Sequence, residues 1–365
     1  MANDKVIKQI FRVNNFDLLR LFAALQVAFN HSLSEFHVQV SGILKELVYF
    51  SYIFPGVPIF FFISGFLISK SYESNNRLVE YFQNRILRLY PGLFVCVSLS
   101  FILIYLSGYM ASTNAGFIDW SILYFAKTTI LQFYNPDFMR AYGDGVLNGS
   151  LWTITVEIQF YFLVPIVYAL FKLHTSGKAN ISLIVLILFF LLVNRLYVNI
   201  PGEYHHSIPY KLLRVSFLPW FYMFLVGVFV QKNFNFFYKL LAGKFILFFT
   251  LYCIVGFSAL KYRFALGNDI NPIVFIFLVA AVFSFSYSFV GLSKTLLRGN
   301  DISYGAYIYH MPIINFMVFI GLTGALSLSI SALFATLFIA TLSWFMIEKR
   351  SLRFKRHPLN PLNKQ

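Results

Sequence analysis

The chain has 365 residues, of which 59% are hydrophobic, 12% are charged and 46 are phenylalanine, with a mean hydropathy of +0.71. A soluble domain has about a quarter of its residues charged, so this composition excludes an ordinary soluble protein and predicts an all-α polytopic membrane protein. The net charge of +15 is what cytoplasmic retention of Lys and Arg and attraction to anionic lipid produce, and no nucleic-acid binding is inferred from it.

Apolar stretches long enough to cross a bilayer, about 20 residues each, fall at 16–34, 47–69, 89–109, 150–171, 181–199, 213–231, 244–260, 272–291, 302–320 and 325–347. This predicts about ten transmembrane helices. The stretch 120–134 is shorter and contains Lys127, which suits an interfacial or re-entrant segment, with an eleventh span as the alternative. With the N-terminus inside, 20 Lys and Arg residues fall on the inner side, and eight (Lys45, Lys127, Arg140, Arg195, Lys211, Arg214, Lys261 and Arg263) fall outside. The positive-inside rule then places both termini in the cytoplasm. The expected organisation is a cytoplasmic N-terminal segment over 1–15, a membrane domain over 16–348 and a basic cytoplasmic tail over 349–365. No cleavable signal precedes the first span. Cys96 and Cys253 both fall in apolar runs and offer neither a disulfide framework nor metal-ligand spacing; no metal is expected. With so short a tail, the chemistry is expected to reside in the membrane domain itself.

The first span carries Asp17, Arg20 and His31, and an ionisable residue inside a membrane helix is a functional-site hypothesis by default. Arg20 and His31 are eleven positions apart, which returns them to within about 20° of one helix face, roughly 16 Å apart along it. Asp17, one turn before Arg20, is expected to hold that guanidinium, and an imidazole can take and return a proton near neutral pH. The bland alternative is that Arg20 snorkels to the surface and His31 caps the outer end. In the second span, Ser64 and Gly65 suit either close helix packing or the lining of a channel. Arg85 and Arg88 precede the third span at i and i+3; they share a helix face and suit either a phosphate clamp or plain positive-inside anchoring. Glu157 and Gln159 sit in the apolar fourth span, where unsatisfied polar groups are costly. Glu157 is expected to orient a partner such as a histidine or to satisfy a buried arginine, and Trp152 fits the aromatic belt as well as a supporting role. Ser303, Tyr307 and His310, at i, i+4 and i+7 of the ninth span, line one face. Glu348 is expected to form a surface ion pair with Lys349 and Arg350. His37, His174, His205, His206 and His357 carry no motif.

In this order the set resembles membrane-bound acyltransferase family 3, the bacterial O-acyltransferases of cell-surface and exported glycans. The matching elements are Arg-x10-His (Arg20, His31), the Gly56 to Leu67 stretch, Arg-x-x-Arg (Arg85, Arg88), Thr155 to Tyr161, and Ser303 to Pro312. Leu18 stands where the family often has glycine, and Ile158 stands where it has a second glutamate, which puts in doubt a mechanism needing two carboxylates there. The resemblance is to stand-alone members without a C-terminal hydrolase-like domain. It implies a cytosolic acyl-CoA donor, most often acetyl-CoA, with no bound cofactor, and an acceptor hydroxyl on a glycan or lipid-linked sugar such as O-antigen or exopolysaccharide. On that reading His31 is the base, Glu157 and His310 complete the catalytic interior, Arg20, Arg85 and Arg88 hold the donor, and Asp17, Trp152, Ser303 and Tyr307 support them. The bacterial inner membrane is the expected location. A transporter or flippase of lipid-linked sugars is the competing reading, although it calls for two corresponding halves with interrupted helices that the sequence lacks.

Overall fold

The computed structural model describes residues 10–11, 13–74, 77–174 and 177–355; the first nine positions, Arg12, and the tail from residue 356, including His357, lie outside them. Every regular element among the described residues is helical. The principal helices are α1 (Phe16–Glu35), α2 (Gly42–Tyr52), α3 (Gly56–Ser74), α4 (Leu78–Leu106), α5 (Phe117–Thr128), α6 (Trp152–Leu170), α7 (Ala179–Val198), α8 (Phe221–Lys232), α9 (Phe234–Leu241), α10 (Phe245–Lys261), α11 (Pro272–Ser288), α12 (Ser303–Phe319) and α13 (Leu326–Ser343).

All ten expected stretches contain helix, but they are not ten equivalent spans. By length and composition, five helical stretches among the described residues can cross a membrane, at Gly42–Ser74, Leu78–Leu106, Gly149–Leu170, Ala179–Val198 and Leu326–Phe354, and a sixth arises if α9 and α10, bent by 87°, form one span. The other expected spans depart for physical reasons. Helix α1 is 20 residues long but carries eight polar side chains, Asp17, Arg20, Gln26, Asn30, His31, Ser32, Ser34 and Glu35. The expected 213–231 span is interrupted around Pro219, leaving α8 with 12 residues, and α11 and α12 have 17 each. Helix α12 is buried from Ser303 through Asn315, so its surroundings are mostly protein. Helix α5, with 12 residues, is too short to span, as a re-entrant or interfacial segment requires. Lys127 is fully buried at its end, donating to the Gln132 carbonyl at 2.6 Å and to Asn135 Oδ1 at 2.8 Å.

The central helices α1, α3, α8 and α12 approach closely. A Cβ on Gly65 would overlap the Phe224 carbonyl oxygen, and one on Gly227 would overlap the Phe62 carbonyl oxygen, so α3 and α8 cross backbone to backbone, as small residues allow in membranes. Gly65 therefore serves packing, while its neighbour Ser64 points elsewhere. The phenylalanines fill the space around this crossing: Phe66 stacks on Phe11 with centroids 5.0 Å apart and tilts against Phe16 at the same distance.

Prolines inside α6 and α12 each remove one helical N–H and free the carbonyl four residues earlier. The carbonyl of Tyr161, freed by Pro165, accepts from Tyr81 OH at 3.2 Å. That of Ile308, freed by Pro312, accepts from Asn148 Nδ2 at 2.9 Å and from Cys96 Sγ at 3.2 Å. Asn315 completes the attachment of the 129–148 segment to α12, donating to the Val146 carbonyl at 2.8 Å and accepting from the Asp144 N–H at 3.1 Å.

Candidate active site

The polar residues of α1 and α12 meet in two layers. In the first, Arg20 of α1 and Arg88 of α4 converge on one carboxylate oxygen, Oδ2 of Asp301, with Arg20 Nη1 at 3.0 Å. The other oxygen, Oδ1, accepts from the N–H of Ser303 at 3.2 Å and from its hydroxyl, tying the ion-paired group to the start of α12. The side chains of Arg20, Arg88 and Asp301 are 17%, 12% and 11% exposed. Burial by itself raises the Asp301 pKa, but the guanidinium groups of Arg88 and Arg20 and the Ser303 hydroxyl outweigh it and hold the carboxyl well below the usual carboxylate range. Asp17 is not the partner of Arg20: no ion pair joins the two among the described residues, because Asp301 offers a charge that Arg20 and Arg88 share.

Arg85 and Arg88 also part company. Arg88 turns to Asp301, whereas Arg85 donates from Nη2 to Ser71 Oγ at 3.0 Å and lies over the rings of Tyr81 and Tyr161, 5.9 and 5.7 Å from their centroids. Sharing a helix face does not make them one clamp, since Arg85 bonds to Ser71 of α3 and Arg88 to Asp301 just before α12.

In the second layer, His31 of α1 faces His310 of α12 edge to face with ring centroids 5.3 Å apart. His31 Nδ1 lies 3.0 Å from Met311 Sδ. His310 is fully buried, and neither of its ring nitrogens has a hydrogen-bond partner. Tyr307, one turn before His310, exchanges a 2.7 Å hydrogen bond with Thr153 Oγ1 of α6, and its ring lies 5.8 Å from that of His310. Between the layers is a cavity of about 30 Å³ bordered by Arg20, Phe60, Thr153, Glu157, Tyr304 and Tyr307. Glu157 Oε1 accepts from Tyr161 OH at 2.7 Å and Ser64 Oγ at 3.2 Å; its partners are hydroxyls, not the histidine or arginine expected. Trp152 packs on Trp220 with centroids 5.3 Å apart, beneath the Arg214 guanidinium at 5.7 Å, at the N-terminal end of α6.

Sequence reasoning missed Asp301 and misjudged Glu348. Asp301 stands two positions before Ser303, where a short acidic side chain at a helix start is a capping signal, but its arginine partners cannot be read from local spacing. Glu348 is 3% exposed and accepts from Ser343 Oγ at 2.8 Å. It does not pair with Lys349 or Arg350: the π-helical turn Trp344–Glu348 carries it inward, and Lys349 Nζ donates instead to Asn300 Oδ1 at 3.0 Å. A Cβ on Gly92 would sit 3.4 Å from Glu348 Cγ and 2.9 Å from the Tyr304 ring, so that glycine makes room for both. No group of His, Cys, Asp and Glu suited to a metal ion occurs among the described residues.

The family described as an acyltransferase domain, acyltransferase 3, matches residues 13–348. The chain belongs to this acyltransferase family. The match contains both layers of the site. Among curated proteins, the acyltransferase is 30% identical over 355 residues to "Nodulation protein 10" of Rhizobium leguminosarum bv. viciae, covering 94% of each chain. It is 26% identical over 352 residues to the "O-acetyl transferase" of Shigella phage Sf6, covering 93% of this chain and 96% of that one. A shorter region, 136 residues at 32% identity, is similar to "O-acetyltransferase OatA" of Staphylococcus aureus, covering 35% of this chain and 22% of that one. No solved structure matches.

Proposed function

We propose that this acyltransferase moves an acyl group, acetyl in the first instance, from cytosolic acyl-CoA to a sugar hydroxyl of a cell-surface or exported glycan, working in the bacterial inner membrane with both termini cytoplasmic. The observation that carries the reading is the His31–His310 pair standing over the Arg20–Asp301–Arg88 group: a proton acceptor and a cationic site are joined by the same two helices, α1 and α12. Two relatives matched over the chain or part of it bear names of O-acetyl transferases, which supports acetyl as the group transferred.

The chemistry follows from the geometry. With Nδ1 turned to Met311 Sδ, the tautomer carrying its proton on Nδ1 leaves the lone pair of His31 on Nε2. That nitrogen takes the proton of the acceptor hydroxyl as its oxygen attacks the thioester carbonyl. The tetrahedral intermediate collapses with departure of the CoA thiolate, and the imidazolium returns its proton to that sulfur. His310, with both nitrogens free of protein partners, supplies a hydrogen bond to the reacting oxygens, and Glu157 adds polarity to the cavity wall. Arg20 and Arg88 hold donor phosphates at the cytoplasmic side, where guanidinium groups bind them in paired hydrogen bonds; Asp301 fixes the two heads beforehand, and Ser303 fixes Asp301.

The test compares, by mass spectrometry, surface glycans of cells lacking the gene and complemented with wild type or with His31→Ala. Wild type restores an acyl mass increment, and His31→Ala, inserted at wild-type level, does not. Accumulation of unexported glycan precursor with no acyl group lost would instead establish the transporter reading.

A further inference from the structure

A second cavity, of about 310 Å³, lies between α4 and α6, apart from the histidine pair. Its size is at the lower end of the range for ligand pockets, about 300–1,000 Å³. Ile86, Ile130 and Phe162 border it and are exposed on the outside of the bundle, so its mouth opens sideways on the flank that α4 and α6, both apolar and long enough to cross a membrane, present. Its walls are apolar and aromatic apart from one cation, Arg85.

The state of Arg85 is unusual for such a place. Its Nε–H is buried without a partner, Nη2 is spent on Ser71, and no carboxylate lies within ion-pair distance among the described residues. Arg88, one turn further on, has Asp301. A guanidinium does not lose its proton in a protein, and the two tyrosine rings that face it offset only part of a partly buried charge. The group that complements such a lining is one anion joined to hydrocarbon.

We propose that this cleft binds an anionic phospholipid of the cytoplasmic leaflet, its phosphate on Arg85 and one acyl chain along Phe82, Ile86 and Phe162. Three observations favour this occupant over a water-soluble phosphate: the sideways mouth, the apolar walls, and the position of Arg85 on the side assigned to the cytoplasm, where basic pockets between helices meet anionic head groups. The inference rests on the orientation proposed above but not on acyl transfer, and it leaves Arg20 and Arg88 as the donor's cations.

The test is native mass spectrometry of the full chain, purified and re-equilibrated with mixed phosphatidylcholine and phosphatidylglycerol vesicles. Wild type retains phosphatidylglycerol in preference to phosphatidylcholine. Arg85→Gln lowers that occupancy about tenfold, as loss of a charge-assisted hydrogen bond does. Ile86→Trp, a substitution at the exposed rim that fills the slot while keeping the cation, lowers it as well and carries the test should Arg85→Gln fail to fold. Equal phosphatidylglycerol retention by wild type and both variants overturns the proposal. So does displacement of the lipid from wild type by acetyl-CoA, which would return the cleft to the donor. Neither readout depends on transfer activity, so failure here is distinguishable from failure of the acyltransferase mechanism.

Discussion

Asp301→Asn isolates the charge that Arg20 and Arg88 share. Asparagine keeps an oxygen for the N–H and hydroxyl of Ser303, so the start of α12 keeps its cap, while two guanidinium groups at 17% and 12% exposure lose their anion. A hydrogen bond to a charged group contributes about 1.5–3 kcal/mol, and removing one partner of a buried pair costs about 3–5 kcal/mol. Taking about 3 kcal/mol as the penalty for these incompletely buried groups, the variant melts earlier in detergent. If the same interaction fixes the arginines for the donor, kcat/KM falls by about 100-fold, since each 1.36 kcal/mol is a factor of ten. Thermal melting followed by size-exclusion fluorescence, together with transfer from labelled acetyl-CoA at varied donor concentration, measures both effects. Wild-type melting and wild-type kcat/KM in Asp301→Asn would refute the positioning argument. Unchanged melting with tighter donor binding would refute it too, by showing that Asp301 merely competes with phosphate.

Gly65→Ala places a methyl group against the Phe224 carbonyl oxygen, which a backbone cannot move aside cheaply; overpacking typically costs about 1–3 kcal/mol, so monodisperse protein is lost on size exclusion, whereas Ser64→Ala, which removes only the hydroxyl donated to Glu157, keeps the fold. Lys355 lies just past the last membrane stretch, where burial and then the nearby Arg88, Arg85 and Arg20 push its amine down to about 7. The undocked segment binds the extra proton between about pH 7 and its ordinary pKa of 10.5, so docking of residues 349–355 tightens as pH rises through that window. Hydrogen exchange of that segment, corrected for the intrinsic rate, slows from about pH 7 to about pH 9 in wild type but not in Lys355→Gln; a pH-independent wild type would contradict the placement.

The parts of this site that lay on one helix face were legible in the sequence. Arg20 and His31 point into the bundle because an eleven-residue spacing closes on itself, and Ser303, Tyr307 and His310 follow the same rule on α12. The partners were less legible. Arg20 and Asp301 are separated by 281 positions, and the nearer Asp17 was the only acid that local spacing offered. Arg85 and Arg88 share a face, yet what each touches depends on which helix lies beyond it. Glu348 escaped helical reasoning because the π-helical turn adds a residue and changes which side of the helix faces inward. All ten expected stretches hold helix, but apolar length alone does not distinguish a helix against lipid from one buried in protein, as α12 is.

The proline in α12 bears on how the 129–148 segment can be exchanged for that of another protein. His310 stands between Ile308, whose carbonyl is held by Asn148, and Pro312, which set that carbonyl loose. A graft of residues 129–148 that omits the asparagine would leave that acceptor, two positions from the histidine, with only the weaker thiol donor of Cys96, and would loosen the helix that carries it. Any chimera that exchanges residues 129–148 must therefore bring Asn148 with the grafted segment and leave Asn315 in the recipient, so that the transplanted segment arrives with its own anchor.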